Sequence, residues 1–326
     1  MKNILILCGG PSSEYEVSIL STKVILLNID KSIYKVTVGL MNKAKDVSFM
    51  SSSEFLSNKY PKYISYRLSL KKMISYDFVF LAMHGEFGED GGLQKVFEKK
   101  GIKFQGSGSI SSKLCFDKYK ASRLICNKLK VKYPKTIKLK LKNISKYKLD
   151  YPILIKPNEI GSSLGAAIIN SKIELEKFLK SKKDEYYFND YFLLQEYIKG
   201  IEVTCGVLEE KKGKCILLPP VEIFPKGEFF DYKSKYTDHG STENCPPTLI
   251  SKSVCDEISE ITRDIHKLLK CKTYSRTDYI YSNSNLYYLD TNTLPGMTKN
   301  SLLPKEVKAK GMSYKELTTF LIENSI

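Results

Sequence analysis

Polar side chains occur at matching spacing in two neighbouring hydrophobic segments near the C-terminus. In "SRTDYIY", Arg276 and Asp278 are two residues apart. In "YYLDTN", the same spacing separates Asp290 from Asn292. Because alternate residues of a strand point to the same face, pairing of the two segments gathers a guanidinium, two carboxylates and a carboxamide. Such oxygen ligands suit Mg²⁺ shared with phosphate oxygens, and Arg276 is placed to offset a developing negative charge. The alternative is a surface ion pair at a hairpin.

The segment "KPNEIGSSLG", residues 156–165, is a second candidate for phosphate chemistry. Glycine lets the backbone approach an anion closely, successive N–H groups can point at it, and Lys156 supplies positive charge. The segment is neither a Walker loop nor a dinucleotide-binding glycine motif, because the GK[ST] ending and the glycine spacing are absent. A plain glycine-rich hairpin is therefore the alternative.

Strands and helices alternate in the N-terminal part of the chain. The segments "NILIL", "YKVTVGLM" and "YDFVFLAMHG" are typical of strands, and the third is nearly all apolar, as expected for a strand buried on both faces of a parallel sheet. The pattern predicts an α/β domain that ends near residue 106. Since ligands bind at the carboxyl ends of parallel strands, Glu14 and His84 are predicted to lie at a binding site.

The rest of the chain predicts short strands, one long polar segment and terminal helices. The strands "YSRTDYIY" and "NLYYLD" form a predicted hairpin with "SNSN" at its tip. Residues 228–247 show no clear period and are predicted to be a loop that is mobile without ligand and becomes ordered over a bound nucleotide. Helices are predicted over residues 112–130, 252–270, 302–310 and 314–324.

The overall composition excludes several classes of protein. With 326 residues, 42% of them hydrophobic and 27% charged, the chain is long enough for two or three domains and is neither disordered nor fibrous. No apolar run approaches the length of a membrane span, and no signal-peptide pattern is present, which predicts a cytoplasmic protein with no membrane partner. The net charge of +16 comes from scattered lysines, so nucleic-acid binding is not predicted. Eight dispersed cysteines predict neither a zinc site nor disulfides.

Seven segments, spread over almost the whole chain, resemble the D-alanine–D-alanine ligase family of the ATP-grasp superfamily. They are "HGEFGEDGGLQ", "FQGSGSISSKLCFDK", "ILIKPNEIGSSLG", "KGIEVTCGV", "FDYKSKY", "SRTDY" and "NTLPGMTKNSLLP". The resemblance implies an α/β (α+β) chain with the ATP-grasp fold and an N-terminal parallel-sheet α/β domain. It implies an N-terminal substrate-binding domain at 1–106, a central ATP-grasp lid domain at 107–195 and a C-terminal ATP-grasp catalytic domain at 196–326.

Members of this family join two D-alanines with ATP, for the synthesis of peptidoglycan precursors. The carboxylate of the first D-alanine takes the γ-phosphate, and the amine of the second attacks the resulting acyl phosphate and displaces phosphate. The resemblance therefore implies ATP and D-alanine as ligands and Mg²⁺ or Mn²⁺ as the metal, with two ions per site. It also implies a homodimer formed through the N-terminal domain.

The resemblance also implies roles for individual residues. ATP contacts are implied for Lys118, Lys156, Ser163, Gln195, Glu196, Ile198, Glu202 and Lys235. Metal binding is implied for Asp278, Asp290 and Asn292, and oxyanion stabilisation for Arg276 and the backbone N–H of Gly296. The first substrate is implied to meet Glu14 and His84, and the carboxylate of the second to meet Ser301 and Leu302. Glu14, Ser162 and Tyr236 match a hydrogen-bonded triad that ties the N-terminal domain to two loops.

Three positions depart from the family pattern. Asp290 stands where Glu usually bridges two Mg²⁺ ions, and its side chain is one methylene shorter. Gln195 replaces the acid that accepts from the adenine amino group, although an amide oxygen is still an acceptor. Tyr15 stands where His or Arg is common.

The acceptor substrate is predicted from Tyr236. This residue matches a tyrosine that D-alanyl-D-lactate-forming members lack, so D-alanine is predicted as both donor and acceptor. The alternatives are D-serine or D-lactate as acceptor, or another ATP-grasp amino-acid ligase. A catalytically inactive nucleotide-binding protein is a further alternative, suggested by Asp290 and Gln195. A basic nucleic-acid-binding protein rests only on the net charge.

Overall fold

The computed structural model describes residues 1–161, 164–182, 185, 190–225 and 240–325. Within this part of the chain the strands form three sheets, called here the N-terminal, lid and C-terminal sheets. The N-terminal sheet has the order β3-β2-β1-β4, in which β1 is parallel to β2 and β4 and β3 is an antiparallel edge. Its strands are β1 (Lys2–Gly9), β2 (Tyr34–Met41), β3 (Val47–Ser51) and β4 (Phe78–Leu81).

Helices cover the N-terminal sheet and remove its central strand from water. The side chains from Ile4 to Cys8 on β1 are fully buried, as the apolar sequence predicts for a strand covered on both faces. The helices of this region are α1 (Tyr15–Asn28), α2 (Ser52–Leu56), α3 (Tyr66–Met73) and α4 (Gly92–Lys100).

The lid sheet is antiparallel and has the order β5-β8-β6-β7. It consists of β5 (Thr136–Lys140), β6 (Ile153–Pro157), β7 (Ala167–Ile169) and β8 (Tyr191–Glu196), with a 3₁₀ turn at Leu141–Lys146 and helix α7 (Lys172–Lys182). Its apolar side chains, among them Leu139, Ile155 and Phe192, form a core of their own. A separate core allows this unit to move as a body relative to the rest of the chain.

The C-terminal sheet is also antiparallel, with the order β12-β11-β9-β13-β14 and β10 added beside β9. Its strands are β9 (Ile201–Glu209), β10 (Cys215–Leu217), β11 (Val221–Pro225), β12 (Ser241–Asn244), β13 (Tyr274–Ser282) and β14 (Asn285–Asn292). The β13–β14 turn is the predicted "SNSN" segment, in which Asn283 and Ser284 have φ of 48° and 58°. Positive φ at both central residues matches the twist of a tight hairpin.

The remaining helices join the C-terminal sheet to its neighbours. They are α5 (Ser109–Phe116), α6 (Lys118–Lys128), α8 (Lys252–Leu268), α9 (Leu302–Ala309) and α10 (Tyr314–Glu323). Leu303 on α9 and Leu317 and Leu321 on α10 belong to the same hydrophobic core as the N-terminal sheet. The N-terminal sheet and the last two helices therefore share one core. None of the helices in the described part of the chain has both the length and the apolar character that a bilayer crossing requires.

Two predicted elements differ from the structure. The predicted helix at 112–130 is two helices, because Asp117 leaves the helical conformation (φ −81°, ψ 88°) and its carboxylate accepts from the Lys120 N–H at 3.1 Å. An N-cap of this kind starts a new helix and places Lys118 in its first turn. Part of the predicted loop at 228–247 is strand β12, which pairs with β11, whereas 226–239 lie outside the described residues.

The domain limits at 106/107 and 195/196 remain a prediction. Helices α5 and α6 contact β14, and Cys115, Ala121 and Ile125 lie in the core of the C-terminal sheet. This packing associates the two helices with the C-terminal unit. It favours a boundary of the lid domain near Thr136 instead of at residue 107.

Candidate active site

A cavity of about 460 Å³ opens where the three sheets meet. This is within the size range of small-molecule sites. Every site residue predicted from the sequence that belongs to the described residues lines this cavity. Ser162, Ser163, Lys235 and Tyr236 lie outside the described residues, so their predicted roles stay predictions.

The β13–β14 hairpin brings the first predicted group together. Arg276 is the register partner of Asn292, and Asp278 is the partner of Asp290. Arg276 binds Asp278 through two parallel contacts, Nε to Oδ1 at 2.9 Å and Nη2 to Oδ2 at 3.0 Å. Thr204 donates to Asp278 Oδ1 at 2.5 Å, and Asn292 Nδ2 donates to Oδ2 at 3.2 Å. The four side chains therefore lie together on the paired strands, as the spacing in the sequence predicts.

Arg276 keeps its charge although it is largely removed from water. Burial alone disfavours the guanidinium, but the neighbouring Asp278 carboxylate outweighs it and raises the pKa of Arg276. The bidentate pair fixes the plane of the guanidinium, and Nη1 is not used in that pair. A fixed cation beside a cavity is the arrangement that stabilises negative charge formed during a reaction.

The residues around Asp290 fit a magnesium ion that is shared with phosphate. Asp278 and Asp290 are directly opposite on paired strands, a position in which two like charges repel each other unless a cation lies nearby. No group of three or more His, Cys, Asp or Glu side chains among the described residues is arranged as a complete metal site. Two carboxylates and one carboxamide suit Mg²⁺ only when phosphate oxygens and water complete its shell. The predicted metal ligands therefore fit a nucleotide-bound ion better than a resident structural one.

Lys118 and the loop after β6 line the part of the cavity where the ATP phosphates are predicted to bind. The Lys118 ammonium donates to the Ile160 carbonyl at 2.9 Å and lies 4.0 Å from Asp290 Oδ2. Asn158 holds the loop against helix α6, because its side chain donates to Asp117 Oδ1 at 2.9 Å and accepts from the Tyr119 N–H at 3.0 Å. Sequence reasoning missed Asn158, whose only signal is its position directly after the "IKP" strand end.

Residues of β8 line the part of the cavity where adenine is predicted to bind, called here the adenine end. Gln195 is 1% exposed, and its Nε2 donates to Thr136 Oγ1 at 2.8 Å. Its Oε1 is buried and has no hydrogen-bond partner among the described residues. The Glu196 carboxylate accepts from the Lys135 N–H at 3.0 Å. Ile198 and Glu202 complete the predicted nucleotide wall.

Two side chains of the N-terminal unit, one predicted and one not, position the loop after β14. His84 approaches Ser21 Oγ through Nε2 at 3.0 Å and the Leu294 carbonyl through Nδ1 at 3.2 Å, and burial lowers its pKa. Glu89 accepts from the N–H groups of Gly85 at 2.8 Å and Leu294 at 3.1 Å. Because both His84 nitrogens are engaged, its direct contact with substrate stays a prediction, and its observed role is to hold this loop.

Glu89 lines the cavity, although its place in the sequence suggests no contact with substrate. Burial, followed by the nearby carboxylate of Glu14, raises the pKa of Glu89. Its position in "HGEFGED" indicated only a loop-ordering role.

The segment after β14 presents backbone groups at the cavity. A Cβ built on Gly296 would lie 2.8 Å from Ser301 Oγ, so only glycine fits this turn without displacement. Ser301 Oγ accepts from the Thr298 N–H at 2.9 Å. Ser301 precedes helix α9, which begins at Leu302, and the N-terminus of a helix attracts carboxylates. This location supports the predicted binding of a substrate carboxylate.

Glu306 is a second residue that sequence reasoning missed. It is fully buried on α9, and neither carboxylate oxygen has a hydrogen-bond partner among the described residues. Burial raises the pKa of Glu306, while the charge of Arg276 acts in the opposite direction. Gly206 leaves room for it, because a Cβ built there would lie 2.3 Å from Glu306 Oε2. In "LLPKEVKAKG" this glutamate looks like another surface charge of an amphipathic helix.

The chain matches two family models that together span most of its length. The model described as "D-ala D-ala ligase N-terminus" matches residues 3–107, and "D-ala D-ala ligase C-terminus" matches residues 128–323. The D-alanine–D-alanine ligase of Clostridium perfringens (strain SM101 / Type A) is 34% identical over 98% of this chain and 97% of its own length.

Solved structures of similar proteins cover the whole chain. The VanG D-Ala:D-Ser ligase from Enterococcus faecalis superimposes with a TM-score of 0.83 at 30% identity, covering 100% of this chain and 99% of its own. The D-alanine–D-alanine ligase from Bacillus anthracis, also solved in complex with ATP, gives 0.78 at 30% identity, covering 100% and 97%. The predicted ATP-grasp fold is confirmed by these likenesses, and the chain belongs to the D-alanine–D-alanine ligase family.

Proposed function

We propose that this protein joins two D-alanines into D-alanyl-D-alanine with ATP, in the synthesis of peptidoglycan precursors. The observation that carries the proposal is a single cavity lined by groups that suit all three reactants. Lys118, Lys156, Arg276 and the residues at the N-terminus of α9 all line it. Such a set of charges fits transfer of a phosphoryl group followed by attack of an amine.

The first step is attack of the donor carboxylate on the γ-phosphate, which forms an acyl phosphate and ADP. Lys118 and Lys156 offset the charge of the phosphate oxygens. Asp278, Asp290 and Asn292 are the residues that would hold Mg²⁺, in one ion or two, and Mg²⁺ supplies further neutralisation of those oxygens. Glu14 is proposed to hold the ammonium of the donor D-alanine.

The second step is attack of the acceptor amine on the acyl carbon. A tetrahedral intermediate forms with negative charge on its oxygen, and Arg276 and the N–H of Gly296 are proposed to bind that oxygen. Collapse of the intermediate breaks the bond from carbon to the phosphate oxygen, phosphate leaves, and the nitrogen that has attacked loses its extra proton to solvent or to the departing phosphate. Ser301 and Leu302 are proposed to place the acceptor carboxylate at the N-terminus of α9.

A product assay tests the reaction and its acceptor. The purified protein is incubated with ATP, Mg²⁺ and D-alanine, with or without D-serine or D-lactate, and products are identified by mass while phosphate release is followed. D-alanyl-D-alanine is expected as the main product in all mixtures at neutral pH. If D-alanyl-D-serine or D-alanyl-D-lactate is the main product, the acceptor substrate is D-serine or D-lactate instead of D-alanine. Absence of phosphate release with every D-amino acid would support an inactive nucleotide-binding protein.

We propose that the protein is a homodimer formed through its N-terminal domain and that it works in the cytoplasm, where ATP is supplied. An apolar stripe on α1 supports the dimer, because Leu20 and Leu27 are 50% and 72% exposed with Val24 between them. A stripe spaced by four and three residues fits a helix that packs on a partner. Light scattering after chromatography should give twice the chain mass, and Leu27→Lys should give one chain mass with unchanged fold.

A further inference from the structure

The adenine end of the cavity contains a polar atom without a partner. Gln195 lines the cavity, and its Oε1 is buried and accepts no hydrogen bond from the described residues. A buried acceptor that is left unsatisfied is costly, so a ligand donor is expected to meet it. What that donor can be depends on which way the amide group points, because the oxygen and nitrogen of a glutamine amide have nearly the same shape.

A chain of hydrogen bonds behind Gln195 determines the direction of its amide. The Pro134 carbonyl can only accept, and the Thr136 hydroxyl donates its single proton to it at 2.6 Å. Thr136 Oγ1 then has only lone pairs to offer to Gln195, which must approach with its NH₂ group. The observed contact, Nε2 to Oγ1 at 2.8 Å, has this polarity. The amide oxygen is consequently the group that is left without a protein partner among the described residues.

The backbone keeps this relay in place. Thr136 and Gln195 are direct register partners on the antiparallel strands β5 and β8, so their side chains stand side by side. Pro134 and Gln195 line the cavity, whereas Thr136 stands behind them. Thr136 is thus a positioning residue, which acts on the ligand only through Gln195.

We propose that Thr136 makes Gln195 a fixed hydrogen-bond acceptor that selects a purine with an exocyclic amino group over one with an exocyclic oxygen. The inference rests on the proposed function, because it assumes that a nucleotide binds at this end of the cavity. The amino group of adenine would donate to Gln195 Oε1. The oxygen of hypoxanthine would place two acceptors against each other, and the held amide cannot rotate to resolve this.

Binding of nucleoside diphosphates tests the proposal without turnover. Dissociation constants for ADP and IDP are measured by calorimetry with Mg²⁺ on the wild type, Thr136→Val and Thr136→Ser. The wild type should prefer ADP. Thr136→Val removes the hydroxyl at almost the same volume and frees the amide to rotate, so the ratio of the two constants should fall by about tenfold. Thr136→Ser retains the hydroxyl and should keep the wild-type ratio.

A second background separates positioning from a general loss of structure. In Gln195→Glu both side-chain oxygens are acceptors, so orientation no longer matters, and adding Thr136→Val there should leave the ratio unchanged. The proposal is overturned by an ADP-to-IDP ratio that is the same in the wild type and Thr136→Val, or by an equal fall in both backgrounds. If Thr136→Val does not fold, Thr136→Ala removes the same hydroxyl and is interpreted in the same way.

The outcome also distinguishes this proposal from the proposed function. One result is that the protein binds ADP and forms D-alanyl-D-alanine while Thr136→Val leaves the ratio of the ADP and IDP dissociation constants unchanged. That result would overturn only the role of Thr136. A protein that binds neither nucleotide and releases no phosphate would overturn both.

Discussion

The two ends of the cavity differ in how their polar groups are satisfied. At the reacting end, Asp278 accepts from Arg276, Thr204 and Asn292, so the charged groups hold one another in place before any ligand binds. Where adenine is proposed to bind, Gln195 Oε1 is buried and has no hydrogen-bond partner among the described residues. The difference fits the proposal that the reacting end stabilises charge electrostatically, whereas the adenine end distinguishes one base from another. Changes at the reacting end are therefore expected to have the larger effects.

The largest effect is expected for Arg276→Ala. Loss of an oxyanion-stabilising group typically lowers turnover by a factor on the order of 10²–10³, while nucleotide binding at the adenine end should survive. The measurements are kcat for D-alanine ligation and the dissociation constant for ADP. Arg276→Lys keeps the charge without the planar fork and should recover only part of the rate. Near-normal turnover in Arg276→Ala would show that Arg276 does not stabilise the oxyanion, and the two ends would then not differ in the proposed way.

A smaller effect is expected for Asp290→Glu. The added methylene restores the reach that the family usually has, so the Mg²⁺ concentration for half-maximal rate should fall about tenfold, which corresponds to about 1.4 kcal/mol. The measurement is the ligation rate against Mg²⁺ at fixed ATP, with Asp290→Asn as the control that removes the charge and should shift the midpoint upward. An unchanged midpoint in Asp290→Glu would show that the shorter carboxylate already holds the metal equally well.

For Glu306→Gln the expected effect is on stability and not on the rate. Burial raises the folded-state pKa of Glu306 above its usual value of 4.5. At pH values above 4.5 the unfolded chain releases a proton that the folded protein keeps, so the free energy of unfolding falls as pH rises toward the folded-state pKa. The slope from this group is at most about 1.4 kcal/mol per pH unit, and glutamine abolishes it.

Urea denaturation at pH 5.5 and 7.5 measures this difference. The wild type should lose more stability than Glu306→Gln between the two values. Equal losses would mean that Glu306 is already ionised in the folded protein. The reacting end would then carry one additional negative charge near Arg276.

Local patterns predicted the parts of the site that follow the chain. The spacing of Arg276, Asp278 and Asp290 predicted the polar face of the hairpin, because strand periodicity and a short turn fix the register. The carboxyl-end rule placed Glu14 and His84 at the cavity for the same kind of reason. The hairpin depends on residues that are close in sequence, and the positions of Glu14 and His84 follow from a general rule for parallel sheets.

Contacts between distant segments could not be predicted in this way. Thr136 and Gln195 meet only because β5 and β8 pair, and no property of either residue alone indicates the relay. Glu306 occupies a buried position of α9 that helix periodicity assigns equally well to the surface. Asp117 interrupts a pattern that is otherwise helical, and only its capping geometry reveals the break.

The Glu14 carboxylate lies between two glycines of different units. A Cβ built on Gly85 of the N-terminal unit would lie 2.7 Å from Glu14 Oε2, and one built on Gly161 of the lid loop would lie 2.5 Å from it. The clearance between the lid and the N-terminal unit is therefore smaller than one methyl group. A side chain at 161 would therefore displace the Glu14 carboxylate, which is proposed to hold the donor ammonium, and the packing of the lid against the N-terminal unit reaches the proposed donor site directly.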